Sequence, residues 1–104
     1  MESLGKFEQF GGCYVSELLM PVLTEVESAF LKAIADPAFQ SELQETLAKF
    51  GGRPTPITPM KNLSQDWGCD VVLKREDLMH GGSHKTNNVI GQGLLAKYLS
   101  LIHI

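Results

Sequence analysis

The chain has 104 residues, of which 43% are hydrophobic and 20% charged, with a formal net charge of −3. That is within the size of one ordinary domain, and the apolar content argues against intrinsic disorder. The 9 basic and 12 acidic residues form no Lys/Arg stripe, which speaks against nucleic acid or an anionic membrane surface as a partner.

Met1 to Phe10 has neither the basic start nor the apolar stretch of a secretory signal, and no apolar run approaches the length of a membrane span. Cys13 and Cys69 are far apart and in no metal-ligand pattern. Such cysteines fit free thiols in a reducing compartment, so a cytoplasmic location is expected.

Glycine pairs at Gly11-Gly12, Gly51-Gly52 and Gly81-Gly82 punctuate the chain, and no repeat is present. A first helix is predicted from Pro21, since proline suits a first turn where its missing N–H would be unpaired anyway. Val22, Val26, Phe30 and Ala33, with Leu23 and Ile34 alongside, form the expected buried stripe, opposite Glu25, Glu27, Ser28 and Lys32. A second helix follows Asp36-Pro37, with Asp36 as N-cap and Pro37 as first helical residue. It carries Phe39, Leu43, Leu47 and Phe50 on one face, and Gly51 is expected to end it in the left-handed conformation. Neither helix is assigned chemistry.

Arg53-Pro54-Thr55-Pro56-Ile57-Thr58-Pro59 holds three prolines, which forbid a helix and disfavour a central strand. An extended, ordered loop is predicted. Asp70 to Lys74 is predicted as a buried strand, then Leu78 to Gly82 as a glycine loop, and a third helix from about His84 to Leu99 with Ser83 as its cap. Val89, Ile90, Leu94 and Tyr98 line part of one face of that helix, while Gly91 and Gly93 suggest a second backbone packed close to it. One strand has no ladder partner. Either a strand hides in the proline segment or the rest of the sheet lies on further chain, and the second is the expectation.

The most informative stretch runs from Leu73 to Asn87: strand, Gly81-Gly82 loop, then Ser83-His84-Lys85 opening a helix. Lys85 falls in the first turn, where the helix dipole disfavours a charged amine, and burial would act the same way. A neutral amine is what imine chemistry needs. Four readings compete. The first is a lysine that binds a carbonyl cofactor. The second is a phosphate loop, which requires glycines where this chain has Met79 and His84. The third is a metal site on His80 and His84, whose spacing shares a face only on a helix that Gly81-Gly82 interrupts. The fourth is an exposed lysine at a solvated helix start. Local spacing does not choose among them.

Val71 to Asn87, read Val-Val-Leu-Lys-Arg-Glu-Asp-Leu-Met-His-Gly-Gly-Ser-His-Lys-Thr-Asn, resembles the cofactor-lysine segment of the tryptophan synthase beta chain family. Phe10 to Val15, Leu19-Met20-Pro21, Asp36 to Phe39, Gly52 to Pro56 and Gly91 to Lys97 are similar to further motifs of that family, in order and spacing. The resemblance covers about residues 7 to 98. Two departures stand out. Ser16 replaces a proline usual in the family, and Ser100 to Ile104 do not resemble it. Residues 1–99 are therefore expected to be the N-terminal part of the family's catalytic domain, and residues 100–104 a non-native tail that resembles translated adapter DNA.

The resemblance implies an α/β fold of the type II pyridoxal-phosphate enzymes, in which helices precede a strand–loop–helix that carries the cofactor lysine. It implies pyridoxal 5'-phosphate as cofactor and L-serine and indole as substrates, joined to give L-tryptophan and water. Lys85 matches the Schiff-base lysine and His84 a residue beside the cofactor phosphate; Asn87 faces the same end of the helix and is expected to orient the site, as a third cofactor-binding residue. Ser83 is expected as a cap, and Lys74, Arg75, Glu76 and Asp77 as strand-end charges that position the loop. The implied partners are a second beta chain and a tryptophan synthase alpha chain. The family's acid/base glutamate, phosphate cup and pyridine-nitrogen partner match nothing in these residues, so no synthase activity is expected from them alone. Other type II enzymes share the looser pattern around the lysine, and a stand-alone interaction module is the non-catalytic alternative.

Overall fold

A computed structural model describes residues 5–103, with side chains given for residues 5–100. The expected tail is thus seen only as backbone from 101 to 103, and Ile104 lies outside the described residues. The described residues form four α-helices, two 3-10 turns and two small antiparallel ribbons, a mixed helix-and-sheet composition. The chain divides into two compact units, one of residues up to 40 and from 95 on, the other Ser41–Leu94.

In the first unit a short ribbon pairs β1 (Lys6–Phe7) with β2 (Phe10–Gly11), and a 3-10 turn at Glu17–Leu19 leads into α1 (Met20–Ala35). The Ser16 hydroxyl accepts from the Leu18 amide at 3.4 Å and opens that turn. Of the expected stripe on α1, Ala33 is fully buried, but Val22, Phe30 and Ile34 are exposed; Ala29, outside that stripe, is buried too. The helix is where the spacing puts it; Leu23 and Val26 are half-buried, and its other large apolar stripe residues are not covered. Then α2 (Pro37–Lys49) begins as predicted. The Asp36 carboxylate accepts from the Ala38 amide at 2.9 Å, satisfying a donor that the first helical turn leaves unpaired. Phe39 is buried and meets Tyr98 edge-on, ring centroids 5.8 Å apart.

The second unit begins within α2, whose end differs from expectation. Gly52, not Gly51, takes the left-handed backbone, at φ +87°. Gly51 is buried instead, and its lack of a side chain has a different reason: a Cβ there would stand 2.8 Å from the Leu47 carbonyl and 3.3 Å from Ile90 Cδ1. The Arg53 amide donates back to the Leu47 carbonyl at 3.0 Å and closes the helix end.

A strand does hide among the prolines, against expectation. β3 (Ile57–Pro59) pairs antiparallel with β4 (Val72–Lys74), in the register Ile57 with Lys74, Thr58 with Leu73 and Pro59 with Val72. Proline is tolerated because a two-stranded ribbon consists of edges, where a missing N–H can face away from the ladder. Arg75 donates to the Pro56 carbonyl and Met60 to the Val71 carbonyl, each at 2.9 Å, and these bonds clamp the two ends. Nor is β4 buried: all three of its residues are exposed, because β3 is its only ladder neighbour among the described residues. A further helix not read from the sequence, α3 (Lys61–Trp67), connects the strands and ends at the left-handed Gly68.

After β4, a 3-10 turn (Glu76–Leu78) and the Gly81-Gly82 turn lead into α4 (Lys85–His103), which passes the predicted end at Leu99. No Gly or Pro follows Gly93 to stop it. On α4, Ile90 is buried as expected, whereas Val89 is exposed. A Cβ on Gly91 or Gly93 would meet nothing within 4 Å, so no backbone packs against either glycine among the described residues. Among the described residues no helix is long and apolar enough to cross a membrane.

Candidate functional site

The site residues lie where β4 hands the chain to α4. Buried Met79 anchors the connection, and the His80 amide donates to the Gly51 carbonyl at 3.0 Å. The next turn is closed by the Gly82 amide on the Met79 carbonyl at 2.8 Å. Gly81 and Gly82 both have positive φ, +92° and +77°, which L side chains rarely adopt. The glycine pair is therefore required by the turn itself. The Thr86 hydroxyl donates to the His80 carbonyl, so the first turn of α4 is fastened across the loop that precedes it.

Ser83 is the cap the sequence predicts: its hydroxyl accepts from the Lys85 amide at 3.2 Å and its carbonyl from the Thr86 amide at 3.3 Å. Lys85 is the first residue of α4. Its side chain is exposed rather than buried, and its amine has no hydrogen-bond or ion-pair partner among the described residues. It lines a groove of about 380 Å³ together with Phe50, His80, Gly81, Ser83, Thr86, Val89 and Ile90. The His80 ring lies against Phe50 with centroids 4.3 Å apart and planes tilted by 43°. The lining is thus largely apolar, with one primary amine, one imidazole and two hydroxyls at its edges.

The structure does not bring all three expected site residues to this groove. His84 is exposed at the helix start and does not line it. Asn87 is also outside it, and its carbonyl oxygen accepts from Arg53 Nε at 3.0 Å.

That contact belongs to a network which sequence reading missed. Arg53 Nη1 and Nη2 donate to Glu76 Oε1 and Oε2 at 2.8 and 2.5 Å, a two-pronged ion pair. The hydroxyl of Thr55, buried at 3% exposure, donates to Glu76 Oε1 at 2.9 Å. The Lys74 amine donates to the Thr55 carbonyl. Hydrogen bonds first from Arg53 and then from Thr55 hold the Glu76 carboxyl below its usual range. A second fork joins Arg75 to Asp77 at 2.9 and 2.8 Å; it lowers the Asp77 carboxyl and raises the Arg75 guanidinium. Lys74, Arg75 and Glu76 thus reach partners on the proline segment, at Thr55, Thr58 and Arg53 with Thr55 respectively, while Asp77 is held by Arg75. The signal available in the sequence was the pair of opposite charges, Arg53 in a rigid proline context and Glu76 beside a glycine loop.

No group of three or more His, Cys, Asp or Glu residues that could hold a metal ion occurs among the described residues. No protein-family model matches the sequence.

Proposed function

We propose that the chain belongs to a tryptophan synthase beta chain, a pyridoxal-phosphate enzyme of fold type II, and that Lys85 is its cofactor lysine. The proposal rests on the motif resemblance. The observation that supports it best is a primary amine with no partner among the described residues, on the first residue of α4, at the edge of a mostly apolar groove. That donor set suits a planar aromatic aldehyde: an amine for the carbonyl carbon and apolar walls at Phe50, Val89 and Ile90 for a ring. The β4–loop–α4 unit that carries it is compatible with the strand–loop–helix the resemblance implies.

Pyridoxal phosphate, when bound, supplies the electron sink that makes a carbanion at an amino acid α-carbon accessible. In this reading Lys85 would hold the cofactor through its Nζ, and the same amine would serve as the base for the substrate's α-proton. Its tether is short in mobility at the backbone end, because the Ser83 cap and the Thr86 hydroxyl fix the first turn of α4. His84, exposed beside Lys85, offers an imidazole N–H to the phosphate group. L-serine loses its hydroxyl as water and indole joins at the β-carbon to give L-tryptophan. The implied assembly is a beta-chain pair with an alpha chain that supplies indole.

Titration of the chain with pyridoxal 5'-phosphate tests the proposal by absorbance. A saturable visible band is expected, absent in Lys85→Ala. An unchanged band in that variant would refute the assignment of Lys85.

A further inference from the structure

Arg53 holds together three segments that are distant in sequence. Its backbone closes the end of α2, one side of its guanidinium forks onto Glu76 after β4, and Nε reaches Asn87 in the first turn of α4. All three guanidinium nitrogens are used, each at 3.0 Å or less. A lysine could not satisfy two oxygens of Glu76 and one of Asn87 in this geometry. Glu76 is itself pinned from its other side by the buried Thr55. Asn87 stands two residues after Lys85, on the same helical turn.

We propose that Arg53 is a positioning residue for Lys85, setting the direction of the first turn of α4 by joining Glu76 to Asn87. The inference rests on Lys85 being the cofactor lysine, and it gives Asn87 a different part from direct contact with cofactor: its amide oxygen is committed to Arg53. Removing either end of the Arg53–Asn87 bond frees the turn and lowers the reactivity of Lys85 without touching the groove.

Lys61 supplies an internal reference, since it too is the first residue of a helix and exposed. The probe is pyridoxal 5'-phosphate, followed by borohydride reduction and peptide mapping, scored as labelling of Lys85 relative to Lys61. Asn87→Ala should lower that ratio roughly tenfold, the scale of one lost charge-assisted hydrogen bond, with the urea midpoint little changed. Arg53→Lys should lower it similarly, and Asn87→Asp, which keeps an acceptor for Nε, should restore most of it. The double variant Arg53→Lys/Asn87→Ala should be no worse than either single one, because both break the same bond. A ratio unchanged in Asn87→Ala overturns the inference and leaves Lys85 as the cofactor lysine. Additive losses overturn it too, since Asn87 would then act on its own account. No preference for Lys85 in the unsubstituted chain overturns the functional reading and this inference together.

Discussion

Both terminal nitrogens of Arg53 meet both carboxylate oxygens of Glu76, a residue 23 positions further along the chain. This pair fixes the proline segment to the turn that launches α4, and it makes the connection sensitive to acid. The Glu76 carboxyl is lowered, chiefly by Arg53 and next by Thr55. A depressed carboxyl stabilises the fold fully above its unfolded value, about 4.3, and loses that contribution as pH falls through its lower folded value. Urea midpoints of the unsubstituted chain and of Glu76→Gln should therefore differ near neutral pH and converge as pH falls well below about 4. Curves that stay parallel into strong acid would show that Glu76 is not ionically engaged.

The Asp36 cap gives the simplest stability test. Asp36→Ala leaves the Ala38 amide without its 2.9 Å acceptor at the start of α2. A loss of about 1 kcal/mol is expected from chemical denaturation, and Asp36→Asn or Asp36→Ser should recover most of it.

Met79 is 3% exposed and sits between the 3-10 turn and the glycine loop. Met79→Ala should cost about 2–3 kcal/mol, because a cavity remains where the side chain was. Amide exchange at His80 reports the local effect: its bond to the Gly51 carbonyl lies next to the deletion and should lose protection.

Gly93 is exposed in the middle of α4, and a Cβ built there meets nothing. Gly93→Ala should stabilise the chain by about 0.5–1 kcal/mol through helix propensity alone. A clear loss of stability would mean that another backbone does approach the glycine, the arrangement its sequence context suggests.

What was legible in the sequence is what nearby residues determine. Asp36-Pro37 and Ser83 cap their helices because capping involves residues two or three positions away. The Gly81-Gly82 turn and the place of Lys85 follow for the same reason. α3 is not legible in the sequence because seven residues show little periodicity; Gly68 is the signal of its end. The strand Ile57–Pro59 was hidden because its evidence lies in Val72–Lys74, not in its own prolines. The role of Arg53 is not legible locally, since its partners stand 23 and 34 positions away. The spacing of Val22, Phe30 and Ile34 marks a face of α1 but not what covers it, and in this chain that face is open.

The central claim is that Lys85 is the lysine that takes pyridoxal phosphate, and reductive trapping on the unsubstituted chain tests it most directly. The chain is incubated with a slight excess of pyridoxal 5'-phosphate, reduced with borohydride, and mapped by peptide mass. The account predicts one modification, carried by Lys85 in preference to Lys61 and Lys74. A label spread evenly over the exposed lysines, or absent from Lys85, would contradict it.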